Sequence, residues 1–326
     1  MMRNLTPIEI DALKVNACTA EDWNNILVTE NFSTEYITNV HFSGKITLGE
    51  FHHTFELAGG VKRHAGLHRV SLHNCEIADN VFIDNVANYI ANYKIGTECY
   101  IQNVDLLLVD KKTSFGNGTR ANVLNETGGR EVPIFDKLSS SLAYILALYR
   151  YKKTAIAQII KLIDHYAEEQ SDTMGTISEH TTIITSGTIR NVKIGAYATI
   201  HNCSRLESGT ISSCKNAPTS IGDNVIASDF IIASGAVVTS GAFLVRTFVG
   251  QATHIGLNFS AHDSLLFTNG TFENGEACSI FAGPFTVTMH KSTLLIGGMF
   301  SFFNAGSGSN QSNHMYKLGP IHQGIL

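Results

Sequence analysis

Imidazole can deprotonate a hydroxyl or an amine near neutral pH, so the fourteen histidines of this 326-residue chain are the first places to look for chemistry. His290 stands out, because Thr288-Met289-His290-Lys291-Ser292 sets a base and a cation side by side within apolar text. Such a pair could bind and deprotonate an acceptor, and an exposed corner of the fold would explain the same residues. His254 reads as a corner residue rather than a catalyst. His262 has Asp263 beside it, which could orient its ring or simply form a surface pair.

The segment from Asn304 to Gly324 concentrates polar groups. Gly306 and Gly308 alternate with Ser307 and Ser309, and Asn310, Gln311, Ser312, Asn313 and His314 follow, with Lys317 and His322 shortly after. Glycines let a backbone approach a ligand closely, and the amides and hydroxyls offer donors and acceptors, so this stretch could hold a sugar or a phosphate. The Gly-Lys-Ser/Thr ending of a Walker loop is missing. Turns also recruit Asn and Gly for purely structural reasons. His290, His314 and His322 match no short metal motif, and no metal is expected. A third cluster, Asn125-Glu126-Thr127-Gly128-Gly129-Arg130-Glu131, could form an anion or sugar pocket or tie the helical insertion to the repeat blocks by ion pairs, and the tie is the favoured reading.

The elements that must position these residues show a period of six. From Ile221 the text divides into IGDNVI, ASDFII, ASGAVV, TSGAFL, VRTFVG, QATHIG and LNFSAH without insertion. The fifth positions are Val225, Ile231, Val237, Phe243, Val249, Ile255 and Ala261, continuing to Phe267, and they are expected to point inward. Counting by six in the first half gives Ala65, Ser71, Ile77, Ile83, Tyr89, Ile95, Ile101 and Leu107. A third run, Ile177, Ile183 and Ile189, slips by one residue to Ile194 and continues at Ile200 and Leu206. Between the blocks, Leu138, Leu142, Ile145 and Tyr149 recur at helical spacing, as do Ile156, Ile159, Ile160, Ile163 and Tyr166, which predicts a helical hairpin. Before them, Thr6-Pro7 and Thr19-Ala20-Glu21-Asp22 resemble helix starts. The expected plan is a helical cap over 1–43, a first repeat block over 44–135, a helical insertion over 136–172 and a second repeat block over 173–326.

Composition narrows the function classes. Charged residues are 16% of the chain, hydrophobic residues 44%, and the formal net charge is -5, which suits neither disorder nor a nucleic-acid partner. The start lacks the basic and apolar regions of a secretory signal, and no stretch is apolar enough to span a bilayer, so no membrane association is expected and the expected compartment is the cytoplasm. Six scattered cysteines without Cys-x-x-Cys read as reduced, mostly buried thiols.

The run IGDNVI-ASDFII-ASGAVV is similar to the hexapeptide repeats of sugar and sugar-nucleotide acyltransferases. NETGGREVPIFD at 125–136, the segment from GEACSIFAGPF to HMYKLGPIHQG at 275–324 and the helical insertion together resemble a bacterial family of unknown function grouped with that fold. Its members are longer, and this chain resembles their N-terminal part. The resemblance implies a mainly β fold, a left-handed parallel β-helix of hexapeptide repeats that assembles as a homotrimer. It also implies transfer of an acyl group from acetyl-CoA or another acyl donor to a sugar or sugar nucleotide. His290 or His314 would be the base, with Lys291, Asn304, Ser307, Asn310, Asn313, Lys317 and His322 holding substrate. A non-catalytic module that binds sugar nucleotides or mediates assembly is the alternative. The β-helical arm of a nucleotidyltransferase ranks last, since no Gly-rich nucleotidyl motif lies near the start.

Overall fold

A computed structural model describes residues 2–306 and places a strand at Asn310–Ser312. The chain opens with β1 (Met2–Asn4) and α1 (Pro7–Val15), which starts on a capping box: the Thr6 hydroxyl accepts the Glu9 N–H while the Glu9 carboxylate accepts the Thr6 N–H. Arg3 clamps the same carboxylate at 2.7 Å. Strands follow at once: β2 (Thr19–Ala20), β3 (Ile26–Thr29) and the long β4 (Ile37–Leu48). The expected helical cap over 1–43 is therefore one helix of nine residues and a single 3-10 turn at Trp23–Asn25. Asp22 caps that turn, and Ile26-Leu27-Val28 then alternate as a strand, which β-branched residues favour.

A small antiparallel pair, β5 (Thr54–Glu56) and β6 (Lys62–His64), precedes β7 (Gly66–Ile77), β8 (Phe82–Val86), β9 (Ile90–Ala91), β10 (Tyr93–Ile95) and β11 (Tyr100–Leu108). The chain then leaves the main sheet. It forms the antiparallel pair β12 (Arg120–Asn122) and β13 (Glu131–Pro133) and the helices α2 (Ser140–Leu148) and α3 (Lys153–Glu169). It returns through β14 (Gly175–Ile177) and β15 (Thr182–Ile194). Thr113 and Asp172 exchange backbone hydrogen bonds of 3.0 Å in both directions and close the neck of this excursion. The departure from the sheet thus comes after Leu108, well before the helical spacing at Asp136.

The strand pairing corrects the expected left-handed β-helix of hexapeptide repeats. Six strands close into a parallel ring in the order β7, β8, β11, β15, β14, β10 and back to β7. Many further strands of the same 29-stranded sheet lie outside the ring, and there are three α-helices among the described residues. Closure is possible because β7 and β15 are long enough to pair with different ring neighbours at their two ends, while β11 pairs with β8 and β15 on its two edges.

The period of six is corrected as well. In the parallel register Ile221 pairs with Val238, Val238 with Ile255 and Ile255 with Phe272, each seventeen positions on. Ile177, Ile194 and Ile211 keep the same interval. Buried positions run Ile221, Ala227, Ile232, Val238, Leu244, Val249, Ile255, so one step in three is five residues rather than six. At the short step a residue of positive φ makes the corner, as at Ser208, Asp229, Arg246 and Asp263. A strict count of six therefore drifts. Val237 and Phe243 are half-exposed while Val238 and Leu244 are fully buried. Ser71 and Tyr89 in the first block are likewise turned toward the outside.

Two apolar cores result. The principal one lies within the stacked parallel ladders. The second lies outside them, where Ile231, Phe248, Leu265 and Phe281, paired in that order along one ladder, pack with Phe267 against Val132, Leu146, Ile156 and Ile163 of the excursion. These strands are buried on both faces, which is why their text is continuously apolar. Ile231 and Phe267, expected to point inward, are buried in this outer core. No helix among the described residues is long and apolar enough to cross a membrane.

Candidate functional site

One face of the first ladders carries a groove of about 560 Å³. Its strands pair His41 with Ser71 and Ser43 with His73, then Leu72 with Ile90 and His73 with Ala91, then Leu108 with Ala91. Successive side chains of a strand alternate between faces. Phe42, Leu72, Ile90 and Leu107 accordingly fill the core, while His41, Ser43, Ser71, His73 and Leu108 turn outward. Tyr89, two-fifths exposed, and Asn92 and Asp110 complete the lining. Asp110 stands just where the chain leaves the sheet. Asn191 holds it by a reciprocal pair, with the Asp110 N–H donating to Asn191 Oδ1 at 3.1 Å and Asn191 Nδ2 donating to Asp110 Oδ1 at 2.8 Å.

The Ser43–His73 contact has the look of a nucleophile and its base, at 2.9 Å from Oγ to Nδ1. The surrounding hydrogen bonds fix a different role. Asn74 Oδ1 accepts the Lys45 N–H at 3.0 Å, so its amide nitrogen must face the other way, toward His73 Nε2 at 2.9 Å and Asn92 Oδ1 at 3.2 Å. Nε2 is then an acceptor, the ring proton sits on Nδ1 and donates to Ser43, and Ser43 donates to the Leu72 carbonyl at 3.3 Å. The serine has no base. Gly44 makes the arrangement possible: its φ is 62°, and a Cβ there would strike the Asn74 side chain.

His41 differs. Its Nδ1 lies 2.8 Å from the Thr19 hydroxyl, which can donate or accept, so Nε2 is free to take either role toward a ligand. Ser71 Oγ and the Tyr89 hydroxyl carry no hydrogen bond to another described residue and share the groove with it.

On the next face Asp84 is nine-tenths buried, 2.5 Å from Arg69 and 3.3 Å from the Gln102 amide, which also accepts from the Tyr100 hydroxyl at 2.9 Å. His68 stands beside this cluster, and burial pushes its pKa below the usual histidine range. Phe82 and Tyr100 stack at 4.6 Å, and Phe55 of β5 roofs them. These groups largely satisfy one another and read as a packed polar seam.

The residues singled out from sequence fall elsewhere. His290 and Lys291 are exposed on a turn between Val287–Thr288 and Leu294–Ile296, and the His290 carbonyl accepts the Thr293 N–H at 3.1 Å. Asn304 is exposed and pairs with Val287, and Asn310 pairs with Leu294. Ser307, Asn313, His314, Lys317 and His322 lie outside the described residues. His254 is on a strand and meets Glu273 at 3.3 Å. Asp263 does not orient His262; it takes a bidentate contact from Arg246, at 2.8 and 2.5 Å, and the N–H of Asn122. The cluster at 125–131 is a tie. Glu131 Oε1 accepts the Gly129 N–H at 2.7 Å, which holds its carboxyl below the usual range, and Arg150 at the end of α2 donates to the Glu131 carbonyl at 2.6 Å. Among the described residues no group of His, Cys, Asp and Glu is arranged to hold a metal ion.

A family model described as a domain of unknown function, DUF4954, matches residues 2–326. The chain belongs to the DUF4954 family. A curated relative, an uncharacterized protein of Treponema pallidum (strain Nichols), is 24% identical over 240 residues, which is 68% of this chain and 32% of that protein. The chain thus spans about a third of the length of the relative it matches. Neither the family description nor the relative's name carries an activity.

Proposed function

We propose that this chain is a non-catalytic binding module for a small sugar-type ligand, seated in the groove of His41, Ser71, His73, Tyr89 and Asp110. One observation supports this reading above the others: a groove within the usual size range of ligand sites, about 300–1,000 Å³, is lined by hydroxyl, imidazole and amide groups beside an exposed tyrosine. The hydrogen bonds that hold His73 in its Nδ1–H form argue for binding over chemistry, since they take its basic nitrogen out of play.

Acyl transfer from acetyl-CoA to a sugar, in a cytoplasmic homotrimer, is the second reading. The exposed His290–Lys291 turn favours it, because it presents a base and a cation side by side at an accessible position. The test is ligand-detected saturation-transfer NMR on the full protein against free sugars, sugar nucleotides and acetyl-CoA. Binding of a sugar-containing ligand, lost in His41→Ala and kept in His290→Ala, is the expected result. Acetyl-CoA-dependent turnover lost in His290→Ala would move the reading to a transferase. A screen without any sugar-containing binder at millimolar concentration would end the binding reading.

A further inference from the structure

The groove also says what kind of sugar it takes. We infer that its ligand is an uncharged saccharide ring and not the nucleotide-activated form, an inference that rests on the binding reading above.

A sugar nucleotide brings a pyrophosphate, and proteins recognise phosphates with Arg or Lys side chains or with the N–H groups at a helix start. The lining contains no arginine or lysine and no residue of α1, α2 or α3. Arg190 approaches the lining, 3.8 Å from Asp110 Oδ2, and Glu207 already engages it at 2.8 Å. The groove instead contributes a carboxylate, Asp110, which would repel a phosphate.

What remains unspent suits hydroxyl groups. His41 Nε2, Ser71 Oγ and the Tyr89 hydroxyl can each donate or accept, the ambivalence that sugar hydroxyls share. Asp110 Oδ2 adds an acceptor for a hydroxyl proton. Tyr89, Ala91 and Leu108 supply an apolar surface for the C–H face of a ring, and a partly exposed tyrosine gives rigid amphipathic contact at low entropic cost. The locked pair of Ser43 and His73 continues the row of Ala91 and Leu108 along the ladder and holds that side of the groove fixed.

Isothermal titration of the full protein with a set of free sugars and with the nucleoside diphosphate derivatives of the same sugars tests this. Free sugars should bind at least as tightly as their nucleotide forms. His41→Ala and Tyr89→Ala should each weaken binding about three- to tenfold, the effect of one net hydrogen bond or aromatic contact. Ser71→Arg, at a half-exposed position without a side-chain hydrogen bond, should shift preference toward the nucleotide form by adding the missing cation. Circular dichroism of each variant confirms that it folds. A nucleotide form that binds more tightly than its free sugar, through His41 and Tyr89, overturns this inference and leaves the binding reading standing. Binding of neither class, or binding indifferent to both substitutions, overturns the groove as a ligand site and this inference with it.

Discussion

Adjacent residues Phe243 and Leu244 separate the observed register from a strict period of six. The period turns Phe243 inward and Leu244 outward, and the seventeen-residue register does the reverse. Leu244 is fully buried, and its ladder neighbours on both sides are alanines, Ala227 and Ala261. Truncation to alanine would leave three alanines in a row, with little bulk nearby to collapse into the space. The cost of Leu244→Ala should therefore sit in the upper part of the range for buried leucines, about 3–5 kcal/mol. Phe243 is half-exposed, with its ring 5.4 Å from that of His262, and it gives up only part of its contact area. Phe243→Ala should cost about 1 kcal/mol, the smaller loss expected of a side chain already partly in water. Equilibrium urea unfolding followed by circular dichroism measures both. A larger loss for Phe243→Ala than for Leu244→Ala would refute the register and the assignment of the two faces.

Further expectations follow from other contacts. Phe248→Ala removes a central side chain of the outer core and should cost about 3–5 kcal/mol; hydrogen exchange should show α2 and α3 losing protection before β15 does. Burial raises the thiols of Cys75 and Cys203 to about 11 and that of Cys99 to about 12, so at neutral pH they should resist a thiol reagent while the exposed Cys214 reacts, as mass spectrometry of the labelled protein would show. The Arg3 guanidinium holds the Glu9 carboxyl at about 2, below its ordinary 4.5. With the folded value the lower one, the stabilisation is present above pH 4.5 and is lost as pH falls toward 2. Carbon chemical shifts of α1 should follow that loss, and Arg3→Ala should move it to higher pH.

Much of the architecture was legible because buried strands must be apolar at regular intervals. The third run, Ile177 to Leu206, shows its one-residue slip in the sequence itself, and every member is fully buried. That slip is the five-residue step, which the run from Ile221 hides because Ile231-Ile232 and Val237-Val238 offer an apolar residue at either register. The helical spacing at 138–166 marks α2 and α3, but Ile145 is exposed and Leu146 buried, since a short helix can turn by a residue to suit the outer core. Closure of the ring depends on pairing between distant strands, which a local pattern does not contain. The groove is hidden in the sequence for a related reason. Its signal is the triplet His41-Phe42-Ser43 repeated as Ser71-Leu72-His73, thirty positions apart, and only the strand register brings the two together. The polar segment after Asn304 is conspicuous in the sequence by density alone, and the turn at His290 is polar because it is exposed.

The central claim is that the groove binds a sugar through His41 while His73 is locked as a structural partner. Long-range nitrogen–proton correlation spectra of histidine-labelled protein, recorded during titration with a free sugar that binds, report both rings at once. The account predicts His73 in the Nδ1–H form throughout, with the His41 nitrogens shifting in proportion to bound sugar and those of His290 unmoved. A His290 ring that shifts while His41 stays still, or a His73 ring protonated on Nε2 alone, would contradict it.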